Sequence, residues 1–251
     1  MANSTATTIK PVLFVKNISR EGPGIFEKVC IGKNQPYEII DLTLLTSIPR
    51  INNYGAVVML GGPASANDNS HVIRLAFQIV DEAIGLNLPF LGVCLGLQIL
   101  VKATGGEVVK SVKKEIGFSD GDSGYYEVEL TEEGKSDRLC DSVSEKFRVF
   151  HLHGETVILS PGTTLLGVGK ECKNQFVRVG SYQYGIQGHI EITGEMLESW
   201  IAEDTMLRTA NRPELLAGFE MIKDQMSLTG QQIFENFLHL AQQRVRDSNP
   251  R

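Results

Sequence analysis

The fold of this chain is decided by one segment, Pro89-Phe90-Leu91-Gly92-Val93-Cys94-Leu95-Gly96-Leu97-Gln98. Its first four residues predict a short buried strand, and the residues from Leu95 onward have helical spacing. The pattern Gly-x-Cys-x-Gly between them is typical of a nucleophile elbow, in which two glycines make room for a strained apex residue. The turn places the Cys94 thiol at the positive end of a helix, where the field favours the reactive thiolate. A buried structural cysteine in a glycine-containing turn is the alternative.

Composition predicts a folded protein and excludes some partners. The chain has 251 residues, of which 42% are hydrophobic and 22% charged. A net charge of -6 and the lack of a long basic block argue against nucleic acid as the main partner. No apolar run is long enough to span a membrane, and residues 1–10 are too polar for a signal peptide.

Cysteine usage predicts a cytoplasmic location. The chain has no Cys-x-x-Cys pair and no zinc-type spacing, so we expect free thiols in a reducing compartment. Apart from Cys94, we interpret the cysteines as structural. They are Cys30, Cys140 and Cys172.

Strands alternate with helices in the first hundred residues. This order predicts a parallel sheet covered by helices on both faces, with ligands beyond the carboxyl ends of the strands. Gly61, Gly62 and Cys94 all fall at that edge. The predicted strands are residues 11–15, 37–42, 56–60 and 89–92, and the predicted helices are 25–31, 71–84 and the segment after Cys94.

The second half of the chain changes character. Short strands are predicted at 107–109, 125–130, 147–152, 156–159, 165–168, 176–179 and 184–190, some of them antiparallel. Helical spacing follows from Gly194 to the end, with His239 on the surface beside the last apolar stripe. The predicted fold is α/β, with a mixed, mostly parallel central sheet flanked by helices and a helical C-terminal extension. We expect one domain over residues 1–251, with a catalytic core at 10–195 and the helical extension at 196–251.

A base for Cys94 is available late in the chain. If the segment around His189 is extended, His189 and Glu191 project from the same face, so Glu191 can orient the imidazole. The alternative is an ordinary surface pair at the end of a strand.

Several stretches together resemble a known family. They are Gly61-Gly62-Pro63, Gly92-Val93-Cys94-Leu95-Gly96-Leu97-Gln98, Glu115-Ile116-Gly117, His153-Gly154-Glu155, Cys172-Lys173-Asn174-Gln175 and Tyr184-Gly185-Ile186-Gln187-Gly188-His189-Ile190-Glu191. In this order they resemble the class I, triad-type glutamine amidotransferases, and among them the free-standing GMP synthase-like group. The resemblance covers about residues 10–195.

The resemblance implies a Cys94–His189–Glu191 triad that acts on the γ-carbonyl of glutamine or of a γ-glutamyl small molecule. It implies an oxyanion hole made by the backbone N–H groups of Gly62 and Leu95, and it implies no cofactor. For Gln98, a solvated helix residue is the alternative. The substrate-binding residues that the resemblance implies are Gly61, Gln98, Asn174, Gln175 and Phe176.

Three positions depart from the family pattern. Gly188 and Ile190 stand where the family usually has an aromatic residue and a proline, and Glu155 replaces an aspartate. Without proline the backbone between His189 and Glu191 is less constrained. Without the aromatic ring we expect a roomier pocket wall or a shifted contact.

A rival arrangement is His151-Leu152-His153-Gly154-Glu155, whose two histidines and Glu155 would share a strand face. Such a set is typical of a two-histidine, one-carboxylate metal centre. Polar residues at strand spacing are ordinary, and the family motif already accounts for this segment. We therefore predict no metal site.

Three functions remain open. The first is release of ammonia from glutamine for a synthetase; because no phosphate-binding loop is visible, that synthetase would be a separate subunit. The second is a self-sufficient γ-glutamyl peptidase or hydrolase with the same triad, which the helical extension mildly favours. The third is a non-catalytic binding homologue, which the intact Cys-His-Glu set disfavours.

Overall fold

The structure is a computed structural model that describes residues 9–119 and 124–247. The strands are β1 (Val12–Lys16), β2 (Tyr37–Asp41), β3 (Ala56–Met59), β4 (Phe90–Val93), β5 (Glu107–Gly117), β6 (Glu127–Leu130), β7 (Lys146–Arg148), β8 (His151–Ile158), β9 (Thr163–Val168), β10 (Phe176–Val179) and β11 (Gln183–Ile186). The α-helices are α1 (Ile25–Gly32), α2 (His71–Gly85), α3 (Leu95–Ala103), α4 (Glu132–Lys135), α5 (Gly194–Glu203), α6 (Thr205–Arg208) and α7 (Arg212–Asp247).

Nine strands form the central sheet, in the order β2-β1-β3-β4-β11-β10-β9-β6-β7. The first five strands in this order pair in parallel, and the remaining pairings are antiparallel. Strands β5 and β8 form a separate antiparallel sheet, with an irregularity between Lys110 and Glu115. The predicted α/β fold with a mixed sheet and flanking helices is confirmed.

Both faces of the inner parallel strands are covered, which explains why β1, β3 and β4 are almost entirely apolar and buried. Along β1, Val12 and Phe14 face the side that carries α1 and α7, while Leu13 and Val15 face α2 and α3. This burial in two layers fixes the parallel strands, and with them the sheet edge at which the chemistry-bearing residues lie.

The C-terminal region is helical, as the sequence predicts, but its last two apolar stripes belong to a single helix of 36 residues, α7. The end of α7 packs on α1, where Phe234 stacks on Phe26 with ring centroids 4.7 Å apart. The beginning of α7 joins a third apolar cluster around Trp200. His239 is exposed, as predicted. None of the described helices combines the length and apolar character of a membrane span.

The structure corrects four predicted strands. The strand predicted at 147–152 is two strands, because the chain leaves the central sheet after Arg148 and enters the second sheet at His151. The strand predicted at 156–159 is not separate, because it is the end of β8, which is continuous from His151 to Ile158. The strand predicted at 184–190 ends at Ile186, and beyond it only His189 forms a bridge, with Phe150. The strand predicted at 107–109 continues to Gly117 because β8 pairs with it over most of its length.

Candidate active site

Cys94 occupies the turn between β4 and α3, with a backbone φ of 51° that residues other than glycine rarely adopt. The two flanking glycines are required by space. A Cβ at Gly92 would lie 2.4 Å from the backbone of Gly96, and a Cβ at Gly96 would lie 2.2 Å from the carbonyl oxygen of Met59. The turn is therefore a tightly packed elbow that holds the thiol at the N-terminus of α3.

His189 and Glu191 face this thiol from the other end of the sequence. The backbone of His189 is anchored by two hydrogen bonds with Phe150, of 2.8 and 3.2 Å. Its Nδ1 lies 2.7 Å from Oε1 of Glu191. Both side chains are buried, and the rings of His189 and Trp200 meet in a T-shaped arrangement with centroids 5.0 Å apart. Although this segment is not a regular strand, it orients the imidazole as the i, i+2 spacing predicted.

Charge and hydrogen bonding perturb the imidazole. Burial alone would lower the pKa of His189, but the negative charge of Glu191 and the hydrogen bonds to Cys94 and Glu191 raise this pKa well above its usual value. A raised pKa makes the imidazole of His189 a stronger base, which is what an acceptor for a thiol proton requires.

Glu21 is a second carboxyl group at this site, and sequence reasoning missed it. A Cβ placed on Gly61 would lie 2.5 Å from Oε2 of Glu21 and 2.9 Å from Cε1 of His189, so the carboxyl and the imidazole meet across Gly61. Burial raises the pKa of Glu21 to about 7, against a smaller lowering by His189. Its Oε2 has no hydrogen-bond partner among the described residues.

The loop that carries Glu21 is tied to the site. Arg20 forms a buried ion pair of 2.7 Å with Asp204. Gly24 has a φ of 52°, and a Cβ there would lie 2.1 Å from the carbonyl oxygen of Glu191. The short run Glu-Gly-Pro-Gly at residues 21–24 is the only sequence signal that could have pointed to this loop.

The glycines after β3 complete this side of the site. A Cβ on Gly61 would lie 3.5 Å from Cβ of Cys94, and a Cβ on Gly62 would lie 3.2 Å from the side chain of Leu95. Gly61 thus lies beside Cys94, and Gly62 lies beside Leu95, the residue that follows Cys94 in the chain.

Two glutamines connect the thiol to the second sheet. The Gln187 amide donates to Sγ of Cys94 at 3.5 Å, and the Gln98 amide donates to Oε1 of Gln187 and to the carbonyl oxygen of Glu155, both at 3.3 Å. Gln98 is buried, so the alternative of a solvated helix residue is wrong. Sequence reasoning did not select Gln187, although it lies two residues before His189.

The other predicted substrate contacts lie farther along the same side. Asn174 donates to the carbonyl oxygen of Val157 at 2.8 Å, and Gln175 is fully buried with its amide nitrogen 3.3 Å from Nε2 of His151. Phe176 begins β10, and its side chain is fully buried in the core of the sheet. Because the Phe176 side chain is buried in the core, only its backbone is left to contact a substrate.

The departures from the family pattern have a local explanation. A Cβ on Gly188 would lie 2.8 Å from Val149 and 3.1 Å from His151. Of the two expected outcomes, a roomier wall or a shifted contact, the structure agrees with the shifted contact, because Val149 and His151 fill the space beside Gly188. Ile190 is buried in the core, and the bridge between His189 and Phe150 holds the backbone that proline would otherwise constrain.

The rival metal arrangement forms with a different carboxylate. The side chains of His151 and His153 meet Glu115 of β5, and one ligand atom from each lies within 4.8 Å of the others. Glu155 is not a member of this group. Glu115 pairs with His153 across the second sheet, beyond the irregularity that begins at Lys110. This pairing places the carboxylate of Glu115 beside the two histidines.

Fold and site together define a class: an α/β protein with a cysteine elbow, a histidine and a carboxylate at the carboxyl edge of a parallel sheet. Residues 25–208 match the family described as glutamine amidotransferase class-I. This chain belongs to that family.

Relatives and a solved structure agree with the assignment. The chain is 29% identical over 158 residues to the glutamine amidotransferase-like protein YfeJ of Salmonella typhimurium, covering 61% of this chain and 63% of that protein. It is 30% identical over 161 residues to the GMP synthase of Thermosipho melanesiensis, covering 63% of this chain and 28% of that protein. The chain thus spans less than two thirds of the length of these relatives. A glutamine amidotransferase structure from Thermotoga maritima shares the fold, with a TM-score of 0.81 at 24% identity, covering 92% of this chain and 98% of that chain.

Proposed function

We propose that this chain hydrolyses the γ-amide of glutamine through a γ-glutamyl thioester on Cys94, releasing glutamate and ammonia. The observation that carries the proposal is the buried Cys94–His189–Glu191 constellation, with 2.7 Å between Nδ1 of His189 and Oε1 of Glu191. Family membership supplies the substrate class, and the geometry of the side chains supplies the chemistry.

The reaction begins with the thiol proton on His189. The Cys94 thiolate attacks the γ-carbonyl carbon, and the electrons of the C=O bond move to the oxygen. The imidazolium of His189 then donates its proton to the departing nitrogen, so ammonia leaves and the thioester remains. In the second half His189 takes a proton from water, the hydroxide attacks the thioester, and the proton returns to the Cys94 sulfur as glutamate leaves.

The developing oxyanion needs hydrogen-bond donors. In this proposal the backbone N–H groups of Gly62 and Leu95 supply them, because Leu95 follows Cys94 at the start of α3 and Gly62 lies beside the side chain of Leu95. Each such donor contributes on the order of 3 kcal/mol to the transition state. The amides of Gln98 and Gln187 border the same space and are suited to the polar end of the substrate.

Glu21 adds a second carboxylate next to the imidazole of His189, near its Cε1 atom. In this mechanism its ionised form stabilises the imidazolium of His189, and so the thiolate of Cys94. Glu21 acts on the reaction only through His189, so we assign it a positioning and electrostatic role and not a direct one.

The destination of the ammonia separates two forms of the proposal. In one, a separate synthetase subunit receives ammonia from this chain. In the other, the chain acts alone on γ-glutamyl compounds. The relatives include a GMP synthase in which the matched region is 28% of the protein, which supports a synthetase partner.

A substrate panel with the purified chain tests the proposal. Glutamine and a set of γ-glutamyl dipeptides are incubated with the wild type and with Cys94→Ala, and glutamate and ammonia are measured with and without a synthetase subunit. We expect glutamine turnover that Cys94→Ala abolishes, and a γ-glutamyl adduct on Cys94 in mass spectra. Preference for dipeptides would select the peptidase, and absence of turnover and adduct with every substrate and partner would leave a binding homologue.

A further inference from the structure

The cluster of Glu115, His151 and His153 is not used by the proposed reaction. All three residues are at most 4% exposed. Oε2 of Glu115 lies 3.0 Å from Nε2 of His153 and 4.0 Å from Nε2 of His151. Buried charged and polar groups normally have aligned partners, so such a cluster needs an explanation.

The protonation of His153 follows from its backbone contact. Nδ1 of His153 lies 3.0 Å from the carbonyl oxygen of Glu155, and because a carbonyl can only accept, Nδ1 carries the proton. In the neutral ring Nε2 therefore presents a lone pair, and it presents it to a carboxylate oxygen. A metal-binding histidine usually donates the N–H of its other ring nitrogen to a backbone carbonyl, a carboxylate or a water in this way.

The contact between His153 and Glu115 is short but lacks hydrogen-bond alignment. Although Nε2 of His153 and Oε2 of Glu115 are 3.0 Å apart, neither has an aligned hydrogen bond to any described residue. Nδ1 of His151 also lacks a partner among the described residues. Three buried polar atoms of this cluster thus lack an aligned partner among the described residues.

We propose that Glu115, His151 and His153 bind one divalent transition-metal ion of the Zn²⁺ class. Imidazole nitrogens and a carboxylate are ligands that such ions prefer. Around an ion with bonds of about 2.1 Å, ligand atoms lie roughly 3.4 Å apart. Separations within 4.8 Å therefore need only small side-chain adjustments.

A cavity adjoins two of the three proposed ligands, and a further buried polar group lies beside His151. Glu115 and His151 line a cavity of about 400 Å³ whose other walls come from β6, β7 and residues 168–173. Several side chains at this cavity are charged, including Lys146, Lys170 and Glu171. Oε1 of the fully buried Gln175, whose amide nitrogen contacts His151, is a further acceptor without a partner among the described residues.

The ion would join the two strands of the second sheet next to the active site. Glu115 belongs to β5 and both histidines to β8, so one ion would cross-link them. Gln175 contacts His151 and accepts a backbone hydrogen bond of 2.8 Å from Gln187, whose side chain reaches Cys94. The proposal stands apart from glutamine hydrolysis and reverses the sequence-based prediction of no metal site.

The test measures binding of Zn²⁺ and Co²⁺ to metal-stripped Cys94→Ala. This background is required because Cys94 and His189 could themselves bind a soft ion. We expect saturable binding of one Zn²⁺ per chain, an increase in melting temperature with Zn²⁺, and a Co²⁺ absorption spectrum of nitrogen and oxygen ligands. Absence of saturable binding, or a thiolate-to-Co²⁺ band, overturns the proposal whether or not any further variant folds.

Matched substitutions in the same background locate the ion. Glu115→Gln and His153→Gln should each weaken Zn²⁺ binding at least about 100-fold. Glu155→Gln is the control, because Glu155 lies two residues from His153 but contributes only its backbone carbonyl. Unchanged binding in Glu115→Gln and His153→Gln, or equal weakening in Glu155→Gln, overturns the assignment. Since Cys94→Ala is inactive in the proposed reaction, failure here leaves glutamine hydrolysis untouched.

Discussion

Two buried histidine–glutamate constellations lie near each other in this chain, and they differ in alignment more than in distance. His189 and Glu191 are 2.7 Å apart and form a hydrogen bond, with Cys94 on the other side of the ring. His153 and Glu115 are 3.0 Å apart without an aligned bond, and His151 takes the place of the thiol. In the first arrangement Nδ1 of His189 and Oε1 of Glu191 satisfy each other, whereas in the second the facing atoms of His153 and Glu115 have no aligned hydrogen bond. Two features therefore distinguish the clusters. One is the third residue, which is Cys94 beside His189 and His151 beside His153, and the other is whether the histidine N–H points at the carboxylate.

The largest expected effect is on the first constellation. His189→Asn removes the base and should lower kcat/KM for glutamine about 10⁴-fold, the scale of losing one member of a catalytic triad. His239→Asn is the control, since His239 is exposed on α7, and it should leave the rate unchanged. Steady-state ammonia release measures both. Retention of more than about a tenth of the wild-type rate in His189→Asn would contradict the assigned base.

Glu191→Gln tests the charge within the aligned pair. The amide oxygen can still accept from Nδ1 of His189, but the negative charge that raises the pKa of His189 is lost. We expect kcat to fall about 10²-fold or more, and the alkylation of Cys94 by iodoacetamide to slow at neutral pH. An alkylation rate equal to that of the wild type would show that Glu191 does not support the thiolate.

Glu21 allows a test by pH. Because burial raises its pKa from 4.5 to about 7, the folded state holds this proton more tightly than the unfolded state. Its contribution to stability is therefore full below pH 4.5 and is lost as the pH rises to about 7. Glu21→Gln keeps the group neutral, and it should be more stable than the wild type at about pH 8 by at most roughly 3 kcal/mol.

Urea unfolding at about pH 5 and about pH 8 measures the difference between Glu21→Gln and the wild type. The difference in unfolding free energy should grow with pH. Glu82→Gln, on the exposed face of α2, should show no such trend. A difference that is the same at both pH values would mean that Glu21 does not titrate in this range.

The smallest effect concerns the residue between the two constellations. Gly188→Ala places a Cβ 2.8 Å from Val149 and 3.1 Å from His151, so neighbouring atoms must move. We expect a loss of about 1–3 kcal/mol in the free energy of unfolding. Gly85→Ala, where a Cβ meets nothing within 4 Å, should cause no loss. Equal unfolding midpoints for the two variants would show that Val149 and His151 can move to accommodate a Cβ at residue 188 without a loss of stability.

Much of the fold and of the triad geometry could be predicted because the signals are local. Apolar runs predicted the parallel strands, and the spacing of Gly92, Cys94 and Gly96 predicted the elbow, since both depend on neighbours a few residues away. The pairing of His189 with Glu191 needed only the i, i+2 rule. The division of residues 147–152 between two sheets could not be predicted, because it depends on which distant strands are available to pair.

The sequence by itself thus determined the strand–elbow–helix unit and the partner of His189, because local backbone sterics and side-chain spacing specify them. Only the tertiary structure decided three contacts. Glu21 lies next to His189, the side chain of Gln187 reaches Cys94, and Glu115, not Glu155, joins His151 and His153. Each of these contacts joins segments far apart in the chain. Their physical cause is the pairing and packing of whole strands, which no local pattern encodes.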